Sequence, residues 1–348
     1  MTGSLHTHDE RGDLVRTHRL IATLACSALL VACGSDADSA DDTDLSPATA
    51  GAEPDEASAP AATAATTEPA ESTTTTTSTT VAETSPPSET TIADTTAPAE
   101  TDVVDDTADA PPIVLVHGAW QDGSSWSRVQ EALEADGRTV SVVSLPGRNG
   151  DGGAQTLTGY RDTVISEVET YDDPVILMGH SFGGMTISNV AEAVPDQVDT
   201  LVYLAAYLPT DGDSLAALAE QDQTSVLSAE GNLVISGDPP VASVPRESFA
   251  GIFCPDCDPA DVDAVTASAV DEPAGPLLAP ISLTEESFGA VPRVYISTAQ
   301  DIVVGPDLQA LMIERTPVDE VFTLDTGHAP YVTAADEIAD ILERLEVG

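Results

Sequence analysis

Lysine is absent from this 348-residue chain: all 11 basic residues are arginine, against 60 aspartates and glutamates, for a formal charge of −49. A surface so poor in cations cannot neutralise phosphates, which excludes nucleic acid as a partner and electrostatic adhesion to anionic lipid. The acids are scattered through the chain, so they read as a source of solubility or salt tolerance and not as one site for a cationic partner. No internal repeat of folding-unit length occurs. The longest apolar run, residues 20–32, has thirteen residues and is too short to span a bilayer.

That run has a different reading. Arg11, Arg16 and Arg19 precede it, and small residues close it in Leu30-Val31-Ala32-Cys33. A basic segment, a short apolar stretch and small residues before a cut make a secretory signal peptide. The closing tetrapeptide resembles the lipobox of bacterial lipoproteins, which implies a leader over 1–33 and a diacylglycerol on Cys33. The expectation is an exported protein held at the cell surface by that lipid, the anchor being its one link to a membrane. Cleavage at a later alanine would instead release it as a soluble secreted protein. Residues 34–110 are Thr, Ala, Ser, Pro, Asp and Glu with almost no large apolar side chain, including the run Thr73 to Thr77. Such a segment cannot recover the entropy of ordering, so it reads as a disordered acidic tether. Its coil dimension is roughly 50 Å before charge repulsion and proline extend it.

Beyond Pro112 the pattern changes to short β-branched runs alternating with amphipathic stretches, as in a parallel sheet with crossover helices on both faces. Runs at 113–116, 140–145, 175–178, 201–205, 294–297 and 321–324 have strand length and apolar residues on both faces, giving at least six strands. Helices are expected over 125–135, 157–171, 185–193, 306–315 and 334–346. In the last of these, Ile338, Ile341, Leu342 and Leu345 form one stripe. Residues from about 206 to 290, rich in Pro and Gly and lacking a clear sheet strand, read as a cap inserted into the domain at 111–348. Cys254 and Cys257 lie in this cap as Cys-Pro-Asp-Cys. No second cysteine pair or free histidine completes a zinc site there, and export favours a disulfide over free thiols or a redox pair. Neither metal nor cofactor is implied.

The run at 175–178 leads into Gly179-His180-Ser181-Phe182-Gly183-Gly184, followed by a helical stretch. This is Gly-x-Ser-x-Gly between strand and helix, where a serine nucleophile sits in a strained turn and Gly179 and Gly183 leave room for it. Outside the leader the chain has only His117, His180 and His328. His180 adjoins the serine with its ring aimed elsewhere, and His117 ends the first strand, so the base is His328, after the last strand. The acid must lie between Ser181 and His328 in chain order. Asp301, after the run at 294–297, is preferred to Asp325, which is too near His328 to reach back. The developing oxyanion needs two backbone N–H donors, and Phe182 and Ala119 are placed to supply them. Trp120 and Trp126 are open to either reading, pocket lining or core.

Val-His-Gly-Ala-Trp at 116–120, Leu-Pro-Gly at 145–147, the elbow at 179–184, Leu-Val-Tyr-Leu-Ala-Ala-Tyr-Leu-Pro at 201–209, Val-Tyr-Ile-Ser-Thr-Ala-Gln-Asp and Thr-Gly-His-Ala-Pro together resemble the methylesterase and hydroxynitrile lyase branch of the α/β-hydrolases, especially its bacterial esterase-like members. The resemblance runs from about 112 to 345. It implies the α/β-hydrolase fold, with acid at Asp301, base at His328 and oxyanion donors at Ala119 and Phe182. Cyanohydrin-cleaving members carry threonine after the first-strand histidine and lysine after the catalytic histidine; Gly118 and Ala329 stand there in this chain. The expected activity is therefore serine-dependent hydrolysis of a small or medium carboxylic ester. Amidase, thioesterase or lactonase chemistry on the same triad is the alternative within enzymes, and a surface binding protein on a hydrolase scaffold is the alternative outside them.

Overall fold

The computed structural model describes residues 110–148, 153 and 155–345. The leader, Cys33 and all but the last residue of the tether lie outside the described residues. Nine strands occur among those described: β1 (Ile113–Val116), β2 (Val140–Val143), β3 (Val175–His180), β4 (Val198–Leu204), β5 (Val234–Ser236), β6 (Val241–Ser243), β7 (Glu272–Pro273), β8 (Arg293–Thr298) and β9 (Glu320–Leu324). Six of them form one sheet in the order β2-β1-β3-β4-β8-β9, and every neighbouring pair is parallel. This is an α/β-hydrolase fold.

All six predicted runs fall in this sheet. Its central strands β1 and β3 are buried along their whole length, as continuous β-branched and apolar runs require. At the edges β2 and β9 are partly exposed. The chain leaves β1 for β2 on one side and returns as β3 on the other, so the winding reverses between β1 and β3. In open α/β sheets the crevice above the carboxyl ends of such a pair is where ligands bind. Gly179 and His180 extend β3 toward that crevice, bringing Ser181 to its rim.

Several helix boundaries differ from expectation by one to three residues. The segment at 125–135 is a 3-10 turn, Gly123–Trp126, followed by the helix Ser127–Ala135; Asp122 caps the turn by accepting the Ser124 N–H at 2.9 Å. The helix expected to reach 171 ends at Val168. Asp172 and Asp173 would sit at the negative end of its dipole, and Pro174 cannot continue it. The final helix, Ala335–Arg344, buries Ile338, Ile341 and Leu342.

The cap is less irregular than its composition implies. Besides short helices it holds a second sheet, β5-β6-β7, antiparallel, in which Ala242 pairs with Glu272 and Val241 with Pro273. Strands of two or three residues carry too few positions for an alternation to register. Among the described residues no helix is long and apolar enough to cross a membrane.

Candidate active site

β3 ends in a sharp reversal into the helix Gly183–Ala193, with Ser181 at its apex in the left-handed region, φ +53°. Non-glycine residues avoid that region unless the surroundings hold them there. Here the Ser181 N–H donates to Leu204 of β4, while its carbonyl accepts from Gly184 and Tyr207. A Cβ on Gly179 would stand 2.7 Å from the Gly183 backbone, and one on Gly183 would stand 2.6 Å from the Val116 carbonyl oxygen. Both glycines are therefore required by close backbone approach, as the elbow reading anticipates.

Three loops converge on Ser181. His328, after β9, places Nε2 3.0 Å from Ser181 Oγ and Nδ1 2.7 Å from Asp301 Oδ2. Asp301, after β8, is fully committed. Its Oδ1 accepts the N–H groups of Val303 and Val304 at 2.7 and 2.9 Å, and Oδ2 also accepts the Thr298 hydroxyl at 3.0 Å. Thr298 is fixed in turn by Gln309, whose Nε2 donates to its Oγ1 at 3.1 Å and whose Oε1 accepts its N–H at 3.0 Å. Gln309 and Thr298 are buried supports that no motif points to. The rival acid, Asp325, is exposed and accepts from Gln300 instead of approaching the histidine.

The other two histidines are held elsewhere. His117 accepts the Leu145 N–H on Nε2 at 3.0 Å, which leaves Nδ1 to donate to the Gly118 carbonyl at 2.9 Å. His180 lies 2.8 Å, through Nε2, from the His328 carbonyl, to which it donates, so it braces His328 without reaching Ser181. Burial above all, aided by the Arg148 charge, lowers the His117 pKa to about 3. Burial and then His328 push His180 well below its ordinary value.

Neutral buried histidines make acid the weak side of this fold. The unfolded chain protonates the His117 ring near pH 6.5, the folded one only near 3. Acidification therefore favours the unfolded state. The contribution is whole above pH 6.5 and is lost at up to ~1.4 kcal/mol per unit as pH falls toward 3. Urea titrations at pH 7 and 4.5 are expected to show wild type losing about 2 kcal/mol more stability over that interval than His117→Gln. Equal losses would contradict the assignment.

The candidate oxyanion donors flank Ser181. Phe182 follows it directly. The loop bearing Ala119 lies against it so closely that a Cβ on Gly118 would stand 2.9 Å from both Ser181 Cβ and His180 Nδ1. Among the described residues neither the Ala119 nor the Phe182 N–H is taken by another group. The two tryptophans divide. Trp126 is wholly buried beneath the site, against His180 and Tyr331, and is core. Trp120 sits between the site and the cap, its indole near Phe253, which packs in turn on His328. Cys254 and Cys257 are joined by a disulfide. Asp256 between them accepts the N–H of Gly327, the residue before His328, at 2.8 Å. Ser181, Asp301 and His328 are all nearly inaccessible to solvent. Among the described residues no group of three or more His, Cys, Asp or Glu side chains is placed to hold a metal ion.

Comparison with known proteins matches this arrangement to one family. The profile of the alpha/beta hydrolase family matches residues 113–341. Putative methylesterase 11, chloroplastic, of Arabidopsis thaliana is 29% identical over 245 residues, covering 67% of this chain and 63% of that protein, so the match spans under two thirds of that relative. Methylesterase 7 of the same plant is 28% identical over 249 residues, covering 67% and 95%. Among solved structures, a pyrethroid hydrolase from Sphingobium faniae JZ-2 superposes with a TM-score of 0.57 at 26% identity, over 68% of this chain and 98% of that one. Polyneuridine aldehyde esterase superposes with a TM-score of 0.62 over 68% and 99%, at 19% identity, a likeness of fold alone.

Proposed function

The chain belongs to the alpha/beta hydrolase family, and from that premise we propose that it is a serine hydrolase of small or medium carboxylic esters, working through an acyl-enzyme. The observation that carries the reading is the unbroken line from Ser181 Oγ through the His328 ring to Asp301, at 3.0 and 2.7 Å. Ser181 attacks the ester carbonyl as His328 Nε2 takes its proton, and Asp301 holds the Nδ1–H tautomer that leaves Nε2 free to accept. The N–H groups of Ala119 and Phe182 receive the charge that forms on the carbonyl oxygen. His328 then gives its proton to the departing alcohol. Water, deprotonated by the same ring, releases the acid and restores Ser181. Each step uses side chains and backbone of this chain alone.

The names of the relatives, methylesterases and a pyrethroid hydrolase, favour ester over amide bonds. Gly118 and Ala329 weigh against cyanohydrin cleavage, for the chain offers no lysine beside the base. Treatment with a fluorophosphonate and peptide mapping is expected to find the adduct on Ser181. An adduct elsewhere, or none on the folded protein, would overturn the assignment.

Export and lipidation at Cys33 belong to the same proposal, supported by Leu30-Val31-Ala32-Cys33 behind an Arg-flanked apolar run. Expression in a bacterial host fed an alkyne-tagged fatty acid should label the wild type and leave Cys33→Ala unlabelled. Equal labelling would refute the anchor.

A further inference from the structure

Every polar group of Trp120 is bonded to the cap. Its backbone N–H donates to Glu272 Oε2 at 3.2 Å and its indole N–H to the Ala242 carbonyl at 2.9 Å. Its own carbonyl accepts the Val270 N–H at 3.0 Å. Trp120 also lies in the left-handed region, φ +60°, which a bulky residue adopts only when its neighbours compel it. It directly follows Ala119, so the bond from its N–H fixes the peptide plane joining the two residues, which carries the Ala119 carbonyl and adjoins, across one Cα, the plane of the Ala119 N–H.

Glu272 is the centre of this arrangement. It is wholly buried, and its carboxylate takes four donors. Arg148 supplies two, Nε at 3.0 Å and Nη2 at 2.5 Å, both to Oε2; Trp120 N–H is the third, and the Tyr160 hydroxyl reaches Oε1 at 2.9 Å. The Tyr160 ring lies beneath the Arg148 guanidinium, 5.0 Å away, and meets the Phe182 ring edge-on at 6.0 Å. One carboxylate thus touches the support of both candidate oxyanion donors: one oxygen fixes the residue after Ala119, the other fixes the tyrosine against Phe182. Burying a charged pair is an expensive way to join a cap to a core, and apolar residues of similar volume would do it at least as well. What they would not provide is an acceptor for the Trp120 N–H.

We propose that Glu272 is a positioning residue for the oxyanion hole, acting through the Trp120 N–H and Tyr160, so that the cap is a working part of the acyl-transfer site as well as its cover. The inference rests on the serine-hydrolase reading given above.

The test compares two double variants of the full chain that differ only in the acceptor. Glu272→Gln/Arg148→Met keeps an oxygen for the Trp120 N–H, and Glu272→Leu/Arg148→Met removes it; both abolish the buried charges. The rate of Ser181 labelling by a short alkyl fluorophosphonate, followed by intact mass, requires no knowledge of the natural substrate. The Gln/Met protein is expected to label within about threefold of wild type and the Leu/Met protein at least about tenfold more slowly, with similar melting temperatures, since misplaced oxyanion donors slow attack without unfolding the protein. Where ester turnover is measurable, the loss should fall on kcat with KM little changed, a split that a general loosening of the fold would not produce. Equal labelling of the two doubles would overturn the proposal while leaving the serine-hydrolase reading intact; a wild type that does not label at all would overturn that reading instead. Should the Leu/Met protein fail to fold, Tyr160→Phe, which removes the hydroxyl that donates to Glu272 Oε1, is expected to label more slowly than wild type, and an unchanged rate would overturn the proposal.

Discussion

Replacing Asp301 by Asn is expected to lower kcat on an ester by about 10⁴-fold while leaving the protein folded. The geometry separates the two effects. An Asn carbonyl at Oδ1 still accepts the Val303 and Val304 N–H groups, so the loop after β8 keeps its anchors. The Asn amide then faces His328 Nδ1 where Oδ2 stood, 2.7 Å away, and a donor there demands that Nδ1 accept. The ring answers by carrying its proton on Nε2, pointed at Ser181 Oγ, and can no longer take the serine proton. The check is kcat for p-nitrophenyl acetate beside a thermal melt. A folded variant with less than about a tenfold loss would show that Asp301 does not set the tautomer.

The second large effect is on stability. Glu272→Leu alone leaves the Arg148 guanidinium buried without its counter-charge, which is expected to cost about 3–5 kcal/mol of unfolding free energy. Adding Arg148→Met should recover most of that loss, because the second charge leaves with the first. Arg148 and Glu272 are 3% and 0% exposed, so solvent does little to screen either one. Denaturant titrations of wild type, the single and the double variant measure both steps. A single variant as stable as wild type, or a double no better than the single, would mean the pair is not coupled as its 2.5 Å contact indicates.

How far the sequence alone leads depends on how each feature is encoded. Parallel strands buried on both faces are written as unbroken apolar runs, so all six strands of the main sheet could be read within a few residues. The arrangement of Ser181, Asp301 and His328 was legible for a different reason. A chain with three histidines after residue 33 offers few bases, and a parallel sheet brings the ends of its strands together. The acid could be chosen because Asp325 follows β9 itself and Asp301 the preceding strand.

The cap sheet was not legible. β7 is two residues long and includes Pro273, so no period can appear in it. Glu272 is one of 60 acids, and nothing local marks it as one that is buried and holds four donors. Its partners stand 112 to 152 positions away. Gln309 and Thr298 were missed for the same reason, since a buried hydrogen-bond chain behind a carboxylate has no signature in spacing. The left-handed conformation of Trp120 is likewise a property of the assembled cap, for a tryptophan gives no sign of it in sequence.

The proposed acyl transfer from an ester by Ser181 is put to the test by hydrolysis of p-nitrophenyl acetate and p-nitrophenyl octanoate by the purified protein beside its Ser181→Ala variant. Turnover of at least the shorter ester is expected, reduced at least about 10³-fold in the variant. Equal rates in the two proteins, or a folded wild type inert toward both esters, would contradict it and shift the reading to a binding protein built on a hydrolase scaffold.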